Sequence, residues 1–162
     1  MKINEYLLAQ LEREVASTRK AIERAPEGMD DWKPHPKSMP LGYLTVLVAT
    51  MFGWIATMVD QDFLDLGSGE APSASTGAER LAIFDKSVAD ARRALSETTD
   101  EHLAKPWQLR VNGNVVQEQP RYIMIADTFC HLAHHRGQLG IYLRLNEKPV
   151  PSAYGPTADE SW

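Results

Sequence analysis

The sequence predicts an all-α protein, a four-helix bundle with one short hairpin or extended loop before the last helix. Four long segments carry apolar residues at helical spacing, and one strand-like stretch surrounds Asn112-Gly113. The chain has 162 residues, of which 43% are hydrophobic and 24% are charged, close to the average for globular proteins. A chain of this length buries a sizeable core without disulfides or metal. We therefore expect a single domain over residues 1–162.

The first helical segment runs from about Asn4 to Arg24. It ends near Pro26, and the proline-rich stretch 26–37 is typical of a loop. We expect Trp32, within this loop, to pack against the core. Apolar residues recur at helical spacing along the segment: Ile3, Leu7, Leu11, Val15 and Ile22.

The second segment begins after Ser38, whose hydroxyl can accept from the first free amides, and it runs to about Asp60 or to Leu66. Residues 39–59 carry no formal charge and are long enough to cross a bilayer as a helix. The glycines and threonines in this run, and the amphipathic stripes of the other segments, favour a buried core helix. A membrane anchor is the alternative. The small polar residues 67–76 then predict a flexible connection.

The third segment opens at Thr76, with Glu79 at the spacing of a capping box. It ends near Ser96. Its apolar residues form one stripe suited to helix packing: Leu81, Phe84, Val88, Ala91 and Leu95.

A hairpin or extended loop follows between Leu109 and Glu118, because Asn-Gly between apolar residues favours a tight turn. The fourth segment runs from about Pro120 to Leu145. The tail, residues 147–162, contains several prolines and should be irregular. Its apolar residues, Val150, Tyr154 and Trp162, would let the tail pack on the body of the protein.

Charge and cysteine content exclude several classes of protein. The net charge of −5 provides no basic field for nucleic acid. The single cysteine, Cys130, excludes an internal disulfide and suits the reducing cytoplasm. Cys130 is most simply interpreted as a buried, inert core residue. The N-terminus lacks the uninterrupted apolar stretch of a signal peptide.

The candidate site is the histidine-rich part of the fourth segment. His131 and His135 are four residues apart, so a helix places both imidazoles on one face, where they can chelate one divalent metal. Asp127, one turn earlier, is a third ligand or an orienting group. No glutamate follows His131, which excludes the zinc-protease pattern. Such histidine pairs also occur on solvated helix faces without metal, and that alternative stays open.

Two neighbours of this pair carry weaker predictions. Cys130 and His134 are also four residues apart and could form a thiolate–imidazole pair. Arg136 is expected to pair with a nearby carboxylate.

The block His131-x-x-x-His135-Arg136-Gly137-Gln138 resembles the signature of the DinB-like (DinB/YfiT) superfamily. The entry to the second helix, residues 37–42, and the tail, residues 149–160, are similar to the same family. The resemblance implies an up-down-down-up four-helix bundle, often a homodimer, with a divalent metal held by one histidine of helix two and two of the last helix. It further implies a thiol-dependent S-transferase or isomerase activity that uses a small thiol.

One position departs from this pattern. The histidine of helix two should fall at about position 47, where the chain has Leu47. Two imidazoles hold zinc or nickel more weakly than three, because each lost ligand removes a metal bond. Asp127 is the best local replacement.

Two functions follow as alternatives. In one, the protein is a metal-dependent enzyme that uses His131 and His135. In the other, it is a non-catalytic binding or scaffold protein that keeps the bundle and binds a small molecule between helices two and four.

Overall fold

Five helices and three short strands form the described part of the chain, residues 1–67 and 72–161 of a computed structural model. The predicted mostly helical class is confirmed, and a small sheet is added to it. In chain order the elements are α1 (Ile3–Glu23), α2 (Leu41–Asp60), β1 (Phe63–Asp65), α3 (Gly77–Glu97), α4 (Asp100–Leu103), β2 (Pro106–Val111), β3 (Asn114–Pro120) and α5 (Arg121–Leu145).

The four long helices share one apolar core. Helix α2 packs against α3 and α5, and α1 contacts the same two helices. Near the centre, Phe52 meets Phe84 and Phe129 edge-on, with ring centroids 5.9 and 6.5 Å apart. Edge-to-face contacts of this kind add to the stabilisation that burial alone provides.

Helix α2 is the most apolar helix and contributes the largest share of the core. By length and composition it could cross a membrane, but 61% of its most apolar window is buried inside the protein. It lies between α3 and α5 and therefore needs apolar side chains around most of its circumference. This burial fits the predicted core helix.

The predicted ends of α2 are partly wrong. Pro40, not Ser38, occupies the N-cap position. The helix stops at Asp60, and the extension to Leu66 does not form, because residues 63–65 pair with β2 as strand β1. The loop before the helix behaves as expected, since Trp32 packs edge-on against Tyr142 with ring centroids 5.5 Å apart.

The capping box of α3 is confirmed. The Thr76 hydroxyl accepts the Glu79 amide at 3.2 Å, and the Glu79 carboxylate accepts the Thr76 amide at 3.0 Å. Of the flexible connection predicted over residues 67–76, positions 68–71 lie outside the described residues.

The predicted hairpin is confirmed and extends further than expected. Strands β2 and β3 are antiparallel, and Asn112 and Gly113 both adopt positive φ at the turn. Strand β1 adds to β2 in parallel. Asp65, at the end of β1, accepts the amides of Gly67, Asn112 and Gly113, and these bonds lower the pKa of its carboxyl. The carboxylate thus ties β1 to the hairpin turn.

The tail is irregular, as predicted, and charged contacts hold it against the helices. Lys20 of α1 and Arg24, directly after that helix, bind Glu160, whose pKa falls to about 2, chiefly through the hydrogen bond from Arg24. Arg144 of α5 binds Asp159 in the same way. Of the predicted apolar anchors, Trp162 lies outside the described residues.

Two glycines of the helices should respond oppositely to alanine. A Cβ on Gly42 would lie 2.8 Å from the Asp30 side chain, which binds the fully buried Arg80. Gly42→Ala should therefore destabilise the fold by about 1–3 kcal/mol through overpacking. A Cβ on Gly137 of α5 meets nothing within 4 Å, so Gly137→Ala should stabilise by about 0.5–1 kcal/mol. Urea unfolding of both variants checks this, and equal effects would contradict it.

Candidate functional site

The two imidazoles that the sequence places on one face of α5 lie together in the structure. The Nε2 atoms of His131 and His135 are 2.8 Å apart. The other ring nitrogen of His135 lies 2.8 Å from the Gln138 amide oxygen, and the amide nitrogen of Gln138 lies 3.1 Å from His134. Gln138 therefore joins three histidines into one hydrogen-bonded row and fixes the ring of His135.

His131 is the member of this row that faces the interior cavity described below. Burial lowers the pKa of His131, and the nearby His135 and His134 rings lower it further. The ring is therefore neutral at pH 7 and offers one donor and one acceptor. Because Nε2 faces His135, Nδ1 is the nitrogen left for a further partner.

At the position where the resemblance expects a third histidine, the chain has leucine, whose side chain has no ligating atom. Leu47 is half-buried against the core. Two helical turns later on the same face of α2, Trp54 packs on His131 with ring centroids 5.7 Å apart. The described residues contain no group of three His, Cys, Asp or Glu side chains placed to hold one ion. The assignment of Asp127 as a ligand beside His131 and His135 stays a prediction.

A cavity of about 340 Å³ lies beside His131, between α2, α5 and one face of the sheet. Its walls are mainly apolar, with Trp54 on α2 and Trp107 on β2 as the largest side chains. The sheet shapes this space, because all three strands contribute to it. The lining residues are Trp54, Thr57, Met58, Leu64, Leu66, Trp107, Leu109, Gln117, Met124, Asp127, Thr128 and His131.

Few polar groups face this cavity, and one buried donor near it is unpaired. Trp107 is 1% exposed, and its indole N–H has no hydrogen-bond partner among the described residues. The Thr128 hydroxyl is already used, because it donates to the Met124 carbonyl at 2.9 Å. Asp127 is exposed at the rim. The cavity thus combines apolar walls with an acidic and an imidazole group on one side.

Sequence reasoning identified the α5 residues of the site but missed the wall that the sheet provides. Leu64, Trp107 and Leu109 reach the cavity only because β1 pairs with a strand more than forty residues away. The available signal was Trp107 itself, a large apolar residue next to the predicted hairpin and outside every helical stripe.

Arg136 lies on another face of α5 and pairs with a carboxylate, as predicted. Its Nη2 is 2.7 Å from the Glu14 carboxylate, and both residues are buried. Its Nη1 donates to the hydroxyls of Ser17 and Thr18 at 2.9 and 2.8 Å. The Tyr154 hydroxyl of the tail donates to the same Glu14 carboxylate at 3.0 Å. This residue of the family-like block therefore joins α1, α5 and the tail.

Cys130 was predicted to be buried, and this is wrong: its side chain is exposed on α5. The apolar face of α5 carries Phe129 and Leu132 on either side of it, which turns Cys130 outward. Among the described residues, Cys130 does not pair with His134 as predicted, and the His134 ring binds the Gln138 amide instead.

Neither a family model nor a curated protein sequence matches the chain. Solved structures do. A DinB-like protein from Bacillus cereus ATCC 10987 superposes with a TM-score of 0.73 at 22% identity, over 93% of this chain and 97% of that one. A DinB-like protein from Bacillus subtilis gives a TM-score of 0.70 at 15% identity, over 91% and 97%. The chain therefore has the fold of the DinB-like proteins, the proteins that its histidine block and the start of α2 resemble in sequence.

Proposed function

We propose that this chain is a single four-helix-bundle domain that binds a small, largely apolar molecule in the cavity beside His131. The observation that carries the proposal is the cavity itself: about 340 Å³, partly open to solvent and lined by two tryptophans, aliphatic side chains and a few polar groups. Sites for small molecules are typically concave and mostly apolar, with a few polar groups that fix orientation.

Burial of apolar ligand surface against these walls would supply most of the affinity. The neutral His131 ring would supply a hydrogen bond, and Gln138 and His135 would hold that ring in place through the row of contacts at 2.8 Å. The Trp107 indole N–H, which has no partner among the described residues, is buried in the wall of the same cavity. This arrangement would bind a small molecule without a bound metal ion.

A weakly held divalent metal, zinc or nickel, is the second candidate. The observation in its favour is that the His131 and His135 Nε2 atoms face each other at 2.8 Å, so that a separation of the rings to about 3.3 Å would let both nitrogens bind one tetrahedral ion. The full three-histidine donor set does not fit, because Leu47 has no ligating atom. A thiol-dependent transferase activity, which the family resemblance implies, would depend on such an ion as a Lewis acid.

Filling the cavity tests the binding function. Leu109→Trp should place a larger ring in the cavity, whereas Val116→Trp adds the same ring to an exposed position of β3 outside it. The neutral probe is 2-phenylethanol, followed by the indole N–H signals of Trp54 and Trp107 in two-dimensional NMR. We expect saturable shifts at about millimolar probe in the parent and in Val116→Trp, and none in Leu109→Trp. Shifts that persist in folded Leu109→Trp would refute this site.

A further inference from the structure

We propose that the molecule bound in this cavity is an organic cation, an amine with an aromatic or aliphatic body. The inference rests on the binding function proposed above and narrows its ligand class. It is carried by three features of the cavity: a carboxylate at the rim without a partner among the described residues, tryptophan in the walls, and a lining that contains no Lys or Arg among those residues.

The carboxylate is Asp127. It lines the cavity, and within the described residues it makes no ion pair or hydrogen bond. Other acidic side chains of the sheet and the tail are already engaged: Asp62 by Arg121, Asp65 by backbone amides and Asp159 by Arg144. Asp127 is thus available to a positively charged group, and the apolar walls beside it strengthen that attraction relative to open water.

The aromatic walls of the cavity also favour a positively charged ligand. Tryptophan faces attract cations through the negative potential above the ring. Trp54 and Trp107 both line the space, and the half-buried Trp54 is the more accessible of the two, since Trp107 is 1% exposed. An ammonium group near Asp127 could keep its apolar body against these rings. Trp54 already packs beside His131, which places one aromatic ring close to the α5 side of the cavity.

An anionic ligand would find no counter-charge. None of the described residues that line the cavity is Lys or Arg. The nearest basic residues of the sheet region are held elsewhere: Arg110 stacks on Phe63 at 3.9 Å and binds Gln108, and Arg121 is buried against Asp62. Residues 68–71, outside the described part, have no basic residue in their sequence.

The test compares three matched probes on the full chain in the presence of EDTA: phenethylamine, 2-phenylethanol and phenylacetate. They share one aromatic body and differ in charge. The readout is the dissociation constant from the indole N–H shifts of Trp54 and Trp107. We expect phenethylamine to bind about 3- to 30-fold more tightly than the alcohol, and phenylacetate more weakly than the alcohol.

Asp127→Asn should reduce the advantage of the amine over the alcohol to less than about twofold. Asp31→Asn removes the same charge from an exposed loop residue outside the cavity lining. It should change neither the dissociation constant of the amine nor that of the alcohol. Alcohol binding without a preference for the amine, or a preference that survives in Asp127→Asn, overturns the cation assignment and leaves the binding function standing. Failure of all three probes to bind overturns the binding function and, with it, this inference.

Discussion

Glu14→Gln should lower the free energy of unfolding by about 3–5 kcal/mol, although it only replaces one carboxylate oxygen with an amide nitrogen. Glu14 and Arg136 are 2% and 5% exposed, and their charges neutralise each other between α1 and α5. The amide of glutamine cannot balance the guanidinium, so the variant leaves a buried, uncompensated positive charge. It also weakens the acceptor that holds Tyr154 and the tail.

Urea unfolding at constant pH provides the measurement, with a change in midpoint and an unchanged slope as the expected signature. Glu12→Gln is the matched control, because Glu12, also on α1, forms a solvent-exposed ion pair with Arg92 of α3. This exposed pair should contribute only about 0–1 kcal/mol. A double variant, Glu14→Leu with Arg136→Met, removes both charges and should recover most of the lost stability. Equal losses for Glu12→Gln and Glu14→Gln would show that burial of the pair has no energetic consequence.

The helices could be predicted from the sequence because their determinants are local. The capping box of Thr76 and Glu79 lies within four residues, and it marks the start of α3 in the structure. The spacing of His131 and His135 likewise follows from the helical repeat alone, and their rings meet as that spacing requires. Arg136 could be assigned a carboxylate partner by charge, but nothing local identified Glu14, which is more than a hundred residues away.

The cavity could not be predicted, because its determinants are far apart in sequence. Strand β1 has three residues and is stabilised by pairing with β2 and by the Asp65 contacts to the hairpin turn, so no periodicity marks it. Without β1 and β2, Leu64 and Trp107 have no assigned face. The same limit explains why the predicted burial of Cys130 is wrong. The sequence places Cys130 on a helix, but which face of that helix is buried depends on packing partners elsewhere in the chain.

Leu47→His should convert the histidine pair into a three-imidazole site and tighten zinc binding by at least about 10- to 100-fold. Leu47 lies two turns before Trp54 on the face of α2 that packs towards α5, where Trp54 meets His131. A histidine at this position would add the ligand that the resemblance to DinB-like proteins expects. The imidazoles of His131 and His135 already lie within 2.8 Å and need little rearrangement to share an ion.

Zinc affinity would be measured by isothermal titration of untagged, metal-stripped protein. Tyr43→His is the control, because it adds a histidine to an exposed position of α2 one turn further from Trp54, and it should give no gain. Adding His135→Ala to Leu47→His should abolish the gain, since the new imidazole would then lack one of its partners. If the folded Leu47→His variant binds zinc no better than the parent, position 47 does not face the histidine pair, and the expected ligand position is wrong. If the gain appears, position 47 faces the histidine pair, and the side chain at this one position determines how tightly the bundle binds zinc.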